Sequence, residues 1–247
     1  MNDDDSLFKL WVYLSATPLA GLTVTLTAYC IAYAIYTRAR LHPLANPVLL
    51  SVVAIVILLK ATNTNYATYF GGAQFVHFLL GPAVVGLAVP LAREWENVKR
   101  LALPIAGALI VGALVAIGSA VGLAYLFGAS PSTISALATK SVTAPIAMGI
   151  AEHIGGVPAL AAVFAVTTGI IGATVGKYVL DAVGVRAWRA RGFALGIAAH
   201  GIGTARAFQV NPVAGAYAAL AFGLHGALAA LLLPLLWRFI ARALSSG

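Results

Sequence analysis

The sequence predicts an all-α, polytopic membrane protein of seven or eight transmembrane helices with discontinuous or re-entrant segments. Of its 247 residues, 61% are hydrophobic and only 9% are charged, and the mean hydropathy is +0.95. Soluble domains carry about 25% charged residues, so this chain has too few charges to cover a water-exposed surface. Its apolar runs approach the roughly 20 residues that a helix needs to cross a bilayer. They do not alternate as strands would, and open sheet edges are not viable in hydrocarbon.

The hydrophobic segments follow one another with little polar sequence between them. We therefore expect a single integral membrane domain over residues 1–247, without a soluble module. A weak internal similarity between residues 71–91 and 215–235 hints at duplication, which is common in secondary transporters. We identify eight segments, at residues 10–36, 47–61, 75–92, 101–127, 134–151, 157–180, 192–208 and 213–240.

The basic residues lie between these segments and give the chain a net charge of +8. In a soluble protein this charge would suggest nucleic acid, but here we interpret it as positive-inside topology and expect no nucleic-acid partner. If every basic cluster is cytoplasmic, segment 134–151 cannot cross fully, so it enters from outside and turns back. The alternative is eight crossings with a broken fifth helix. The clusters are Arg38 and Arg40; Arg93, Lys99 and Arg100; Arg186, Arg189 and Arg191; and Arg238 and Arg242.

The stretch "TKSVTAP" places a charge, hydroxyls and a proline inside an apolar segment. A lysine at the bilayer centre costs about 2.5–3.5 kcal/mol on insertion scales, and Pro145 removes a backbone donor. Unwound backbone at this depth is tolerated only inside protein or beside a water-filled cavity. We therefore predict a discontinuous helix whose Lys140, Ser141 and Thr143 face a polar cavity. The alternative is that Lys140 snorkels to an interface while the threonines bond their own helix.

The stretch "AHGIGTAR" is a second polar cluster in an apolar run. Gly201 and Gly203 loosen the helix, and His200, Thr204 and Arg206 add a titratable group, a hydroxyl and a fixed charge. The i, i+4 spacing of His200 and Thr204 would put both on one face of an unbroken helix. A glycine-rich packing helix is the alternative, but two such clusters together favour a functional site.

Two further stretches allow both a structural and a functional reading. Gly81 and Pro82 would kink a helix and could act in gating, although packing alone explains them equally well. The polar run "TNTNYATYFGGAQ", residues 62–74, is expected to be an interfacial loop or the mouth of a polar path.

The remaining polar residues give weaker signals. Glu152 follows the broken segment and is a candidate cap, gate or proton site. His225 is expected to be a hydrogen-bonded core histidine, and Lys177 is expected to pair with Asp181 at a membrane edge.

Signatures of catalysis are scarce in this sequence. It has no G-x-S-x-G elbow, no H-E-x-x-H motif and a single cysteine, Cys30. Adjacent Lys140 and Ser141 could form a dyad, but no candidate for an oxyanion hole accompanies them. We therefore expect no enzymatic activity, no cofactor and no metal site.

Three stretches, in order, resemble the signature regions of the LrgB/CidB family: "FLLGPAVVGLAVPL", "KSVTAPIAMGIAEHIGGVPALAAVF" and "ALGIAAHGIGTARAF". The resemblance covers roughly residues 45–236 and leaves an extra N-terminal helix at 10–36. The family was first described as antiholin-like and linked to murein hydrolase release and programmed cell death. Related proteins, including the plastidial glycolate/glycerate translocator, carry small monocarboxylates, and bacterial members are associated with pyruvate uptake. Many act with a small LrgA/CidA-type membrane partner.

Taken together, these features favour a secondary transporter of pyruvate, glycolate, glycerate or lactate in the bacterial cytoplasmic membrane. We expect transport to be coupled to protons through His200 or Glu152. We also expect the protein to form a homo-oligomer in the lipid bilayer and to bind a small carboxylate substrate. The rival interpretation is a holin-like or antiholin-like subunit that regulates murein hydrolase export and cell lysis. The expected substrate-binding residues are Lys140, Ser141, Thr143, His200, Gly201, Thr204 and Arg206. The expected helix breaks or gates are Gly81, Pro82, Pro145 and Gly203.

Overall fold

The regular structure of this protein is helical throughout the part of the chain that can be described. The computed structural model describes residues 18–76 and 88–245, together with residues 82, 85 and 86, and no β-strand occurs in these ranges. The all-α prediction is therefore confirmed. Within the described ranges, four helices are long and apolar enough to cross a membrane: Leu19–Arg38, Ala102–Leu126, Pro158–Ala182 and Pro212–Arg242.

Residues up to Gly86 form one compact unit, and residues from Leu87 onward form another. In the first unit, a short 3₁₀ turn separates the first two helices. Its helices are α1 (Pro18–Arg38), α2 (Pro47–Ala61) and α3 (Tyr66–Ala73).

Helix α3 occupies most of the stretch that was expected to be a polar loop. The Asn65 side chain accepts a hydrogen bond from the Ala67 amide and so caps the helix, and the Tyr66 and Phe70 rings stack one turn apart. Helix α3 lies against α1 at Gly21, where a methyl group would collide with the Tyr69 carbonyl oxygen. The loop prediction failed because local capping and aromatic spacing outweigh the polar composition.

Some predicted features fall partly outside the described residues. Gly81 lies outside them, and Pro82 is helical and exposed. The internal similarity of 71–91 with 215–235 also includes undescribed positions.

The second unit contains the predicted site. Helices α4 and α5 are short, α6, α9 and α11 are long, and α7, α8 and α10 build two helical hairpins. The bounds are α4 (Ala88–Arg93), α5 (Trp95–Arg100), α6 (Ala102–Leu126), α7 (Pro131–Ala138), α8 (Ala144–His153), α9 (Pro158–Ala182), α10 (Trp188–Val210) and α11 (Pro212–Ser245).

Helices α7 and α8 form the first hairpin, called hairpin A, whose tip is the non-helical segment 139–143. A methyl group at Gly156, just beyond α8, would lie 2.8 Å from the Ala136 amide nitrogen on α7. Ala129, before α7, and Ile154, after α8, line one cavity of about 380 Å³. The chain therefore leaves hairpin A at the end where it entered, as in the re-entrant interpretation.

Pro145 begins the second arm of hairpin A rather than breaking a helix. It lies in the first turn of α8, where its fixed φ suits a helix and its missing N–H has no intrahelical acceptor. The break itself is the five-residue tip before it. The first arm ends where the Thr139 hydroxyl donates to the Ala136 carbonyl oxygen over 2.8 Å.

Helix α10 is a second hairpin, called hairpin B, which turns at His200. This residue has φ 40° and ψ −132°, in the middle of an otherwise helical run. A methyl group at Gly203 would lie only 2.7 Å from the Leu195 carbonyl oxygen. In a straight helix residues 195 and 203 would be about 12 Å apart, so the chain folds back on itself at His200.

The neighbours of hairpin B support this reversal. A methyl group at Gly176 on α9 would lie 2.6 Å from Leu195, and one at Gly172 would lie 2.6 Å from Ala199. The first arm (188–199) therefore runs antiparallel to α9.

The first arm of hairpin B also runs parallel to α11. Gly192 is pressed against the Ala214 carbonyl, and Gly196 against the Ala218 carbonyl. Only a second arm (201–210) that returns toward the starting end can connect the two. Residues 192–208 are therefore not one straight helix: the break is at His200, and Gly203 lies in the helical second arm rather than at a break.

The hairpin in α10 also changes the charge topology. Helix α11 begins beside the first arm of hairpin B, and its last turns carry Trp237 and Ala241, which line the same cavity as Ala129 and Ile154. Arg238 is therefore at the opposite end of this unit from Arg191. Placing every basic cluster on one side was wrong, because that inference counted α10 as a crossing.

The carboxylate of Asp181 does not pair with Lys177 as expected. It accepts a hydrogen bond of 2.6 Å from Arg191, whose guanidinium also donates to the Val185 carbonyl oxygen over 2.9 Å. This ion pair fastens the end of α9 to the start of hairpin B. The pairing predicted from the i, i+4 spacing does not form because the short turn after α9 brings the Arg191 guanidinium, a stronger donor, to the carboxylate of Asp181.

Candidate functional site

The tips of hairpins A and B meet inside the second unit. A methyl group at Gly201 would lie 4.0 Å from Cγ2 of Thr143, with nothing nearer. Helix α8 and the second arm of hairpin B both begin at this meeting point. Their free N–H groups and partial positive charge face the same region, which favours anions.

Lys140 and Ser141 form the polar part of the hairpin A tip. Ser141 is 3% exposed, and its hydroxyl accepts a hydrogen bond of 3.2 Å from the half-buried Lys140 ammonium. An ammonium has three donors, so this bond leaves Lys140 able to bind a further acceptor. Thr143 is half-buried, and its side chain makes no capping bond to α8.

Lys140 and Ser141 also line a cavity of about 830 Å³. Its walls are the residues of α6 from Pro104 to Ala116 and the first arm of hairpin B, and they are mainly apolar. Along α6 this is about 20 Å, most of the depth of a hydrocarbon core. A small polar ligand in this cavity would find hydrogen-bonding groups at the Lys140 end, supplied by Lys140 and Ser141.

Arg189 lies at the other end of the cavity. Its guanidinium is 3.7 Å from the Glu94 carboxylate and stands 5.8 Å over the Tyr217 ring. In the sequence, Arg189 was identified only as part of a basic cluster used to predict membrane topology. It lines the cavity because hairpin B runs beside α6, which the sequence did not indicate.

The polar groups of the hairpin B tip bond within the protein. The His200 Nε2 atom lies 2.9 Å from the Ala165 carbonyl oxygen on α9, and the Thr204 hydroxyl donates to the His200 carbonyl oxygen over 2.8 Å. The cavity lining does not include these side chains. His200 and Thr204 therefore hold the turn in place.

Two other predicted residues lie away from the cavity. Arg206 is half-buried on the second arm of hairpin B, and Glu152 is exposed near the end of α8. Within the described ranges, no three His, Cys, Asp or Glu side chains are placed to hold a metal ion.

His225 on α11 differs from the structural role that the sequence predicts for it. Its side chain is 1% exposed, and neither ring nitrogen has a hydrogen-bond partner among the described residues. The expectation of a hydrogen-bonded core histidine was wrong. Nothing in the apolar sequence around His225 distinguished it from a packed side chain.

Most of each unit matches one family. The model of the LrgB-like family matches residues 25–239, a range that includes part of the helix expected to be extra. The chain is 32% identical over 219 residues to the uncharacterized protein YxaC of Bacillus subtilis, covering 88% of this chain and 95% of the relative.

Two further relatives carry functional names. The chain is 30% identical to the holin-like protein CidB of Staphylococcus epidermidis, over 91% of this chain and 96% of the relative. It is 27% identical to the antiholin-like protein LrgB of Bacillus cereus, over 91% and 97%. No solved structure matches the chain. The resemblance found in the sequence is confirmed, and the chain is a multi-pass bacterial membrane protein that belongs to the LrgB-like family.

Proposed function

We propose that this protein is a secondary transporter of small organic monocarboxylates such as glycolate, glycerate, lactate or pyruvate. The observation that carries the proposal is a mainly apolar cavity of about 830 Å³ that reaches Lys140 beside the meeting tips of hairpins A and B. Broken helices that face each other at mid-depth are a common design of substrate sites in secondary transporters. A holin-like subunit would need packing faces but no such cavity.

In this proposal the carboxylate binds at the hairpin A tip. The Lys140 ammonium offsets its charge, the Ser141 hydroxyl bonds an oxygen, and Thr143 contributes a second hydroxyl. The absence of a side chain at Gly201 keeps space between the tips. His200 and Thr204 act as positioning residues, and Arg206 acts on the movement of hairpin B.

We further propose that segments five and seven are re-entrant, so that at most six of the eight hydrophobic segments cross the membrane. Hairpins A and B enter the second unit from opposite ends, so small movements of either could close the cavity at one end and open it at the other. In this proposal the protein acts without enzymatic activity and without a cofactor.

Transport is tested with purified protein in liposomes that contain unlabelled glycolate. Labelled glycolate added outside should enter by counterflow, saturate, and be inhibited by lactate and pyruvate but not by acetamide. Protein-free liposomes are the control. Absence of saturable counterflow for all four monocarboxylates would overturn the proposal.

The re-entrant arrangement is tested with single cysteines. Cysteines at Ala129 and His153, before and after hairpin A, should be labelled by a membrane-impermeant maleimide from the same side, with the periplasmic side expected. A cysteine at Arg186 should be labelled from the opposite side. Labelling of positions 129 and 153 from different sides would establish a full crossing.

A second candidate function follows from the names of the relatives. The holin-like protein CidB and the antiholin-like protein LrgB favour a membrane subunit that regulates murein hydrolase export and lysis. Such a subunit would assemble as a homo-oligomer or with an LrgA/CidA-type membrane partner. It predicts unselective release of a trapped dye from liposomes, alone or with that partner, whereas a transporter should retain the dye while exchanging glycolate.

A further inference from the structure

His225 has a buried imidazole that forms no hydrogen bond to the described part of the protein. Natural structures pair almost all buried polar groups, and an exception requires an explanation such as an exchanging ligand. At 1% exposure, its two unpartnered ring nitrogens cannot be satisfied by bulk water. An alanine or leucine would pack in this apolar helix without that cost.

The position of His225 connects it to both hairpins. A methyl group on the next residue, Gly226, would lie 3.2 Å from Ile146 in the first turn of α8. Ile146 is only three residues beyond Thr143 in the tip of hairpin A, and a methyl group at Gly196, four residues before the turn of hairpin B, would lie 2.8 Å from Ala221 on α11. The imidazole therefore lies close to the proposed anion site but outside the cavity lining.

We propose that His225 is the proton-binding residue that couples monocarboxylate transport to the proton gradient, an inference that rests on the transport function proposed above. Without substrate, the positive charge of Lys140 opposes a proton on His225, so the imidazole stays neutral. A monoanion bound at Lys140 removes that repulsion and lets the imidazole accept one proton. Binding of the anion and the proton therefore favour each other to the same extent. One negative and one positive charge then move together, and the step carries no net charge.

The other candidates for this role are less suitable. The Nε2–H of His200 donates to the Ala165 carbonyl oxygen and holds the turn of hairpin B, which gives this side chain a structural role. Glu152 is exposed near the outer end of α8 and lies away from the cavity.

The coupling depends on which charges face His225. The titratable groups at the two hairpin tips, beside which α11 passes, are Lys140 and His200. The helices packed against α11 are α4, α6, α8 and α10. Their other charged or titratable groups are Arg93, Tyr125, Glu152, His153, Arg189, Arg191 and Arg206.

The test uses the full chain in liposomes, with glycolate as the probe and His225→Gln as the variant. Wild-type protein should accumulate glycolate when the outside is made acidic. Its apparent affinity should rise by up to about tenfold per unit fall in pH, the slope for one linked proton. His225→Gln should keep measurable counterflow, lose accumulation, and bind glycolate with an affinity that no longer depends on pH. His153→Gln, an exposed histidine on α8, is the matched control and should behave as wild type.

Several outcomes would overturn the inference. Wild-type counterflow with pH-independent affinity would remove proton coupling while leaving transport intact, whereas absence of any wild-type counterflow would remove the proposed function itself. Uphill accumulation by His225→Gln would assign the proton to another group. His225→Asn guards against a folding defect. If both variants lose counterflow and thermal stability together, His225 has a structural role only.

Discussion

The tips of hairpins A and B have similar compositions but different structures. Hairpin A opens over five residues, and its Lys140 and Ser141 line the large cavity. Hairpin B turns at the single residue His200, whose carbonyl oxygen and Nε2 are both bonded inside the protein. A cation, hydroxyls and helix breakers can therefore build either the proposed binding site or a rigid pivot. Which one forms depends on whether neighbouring groups already satisfy the polar atoms.

The largest expected effect is the loss of glycolate binding when the Lys140 side chain is removed. Lys140→Ala should weaken glycolate binding by roughly 100-fold or more, because a desolvated carboxylate would lack its counter-charge, a loss of about 3 kcal/mol. Lys140→Arg should also fail, because the larger planar guanidinium does not replace a compact ammonium in a fitted pocket. Lys177→Ala, a lysine on α9 whose ammonium lies over the Tyr178 ring, is the control. Equilibrium binding to each purified variant measures the effect. Wild-type affinity in Lys140→Ala would remove this lysine from the site.

The next effect compares glycines in the second arms of the hairpins. Gly203→Ala should lower the free energy of unfolding by about 2 kcal/mol, because its methyl group would press on Ala199 and the Leu195 carbonyl. Gly149→Ala on α8 meets nothing within 4 Å and should be neutral or slightly stabilising, since alanine favours helix. Thermal unfolding in detergent measures both. Equal tolerance at the two positions would argue against the reversal of α10.

The two hairpins also show how far the sequence could predict this molecule. The tip of hairpin A was predictable because Lys140 and Pro145 are costly in an apolar helix unless the backbone opens there. Hairpin B was not predictable from the sequence, because residues 188–210 are long enough for a helix that crosses the membrane. Their glycines are as compatible with ordinary helix packing as with a reversal of the chain. His225 was missed because an isolated histidine in an apolar run gives no local signal. Its significance depends on what α8 and hairpin B bring beside it.

A smaller effect is expected at the hydroxyls. Thr204→Val should lower the free energy of unfolding by about 1 kcal/mol, because the buried His200 carbonyl oxygen loses its donor. Thr143→Val should leave the stability close to wild type, because no capping bond is lost, and should instead reduce glycolate affinity. Thermal unfolding and equilibrium binding on both variants separate the two roles. Reduced stability in Thr143→Val with unchanged binding would reverse the assignment.

The smallest effect on binding is expected at Arg206. Hairpin A supplies Lys140 to the cavity, whereas Arg206 lies on the second arm of hairpin B and not in the cavity lining. A second cation beside a monoanion would leave surplus positive charge, so Arg206 is better suited to a step in which hairpin B moves. Arg206→Lys keeps the charge but loses the planar fork of donors. Glycolate affinity should therefore stay within about twofold, and counterflow should slow by several-fold. Arg238→Lys on α11 is the matched control, with no change expected in either measurement. A large loss of affinity in Arg206→Lys, with turnover preserved in the substrate-saturated protein, would place this guanidinium on the carboxylate and make the two hairpin tips equal partners in binding.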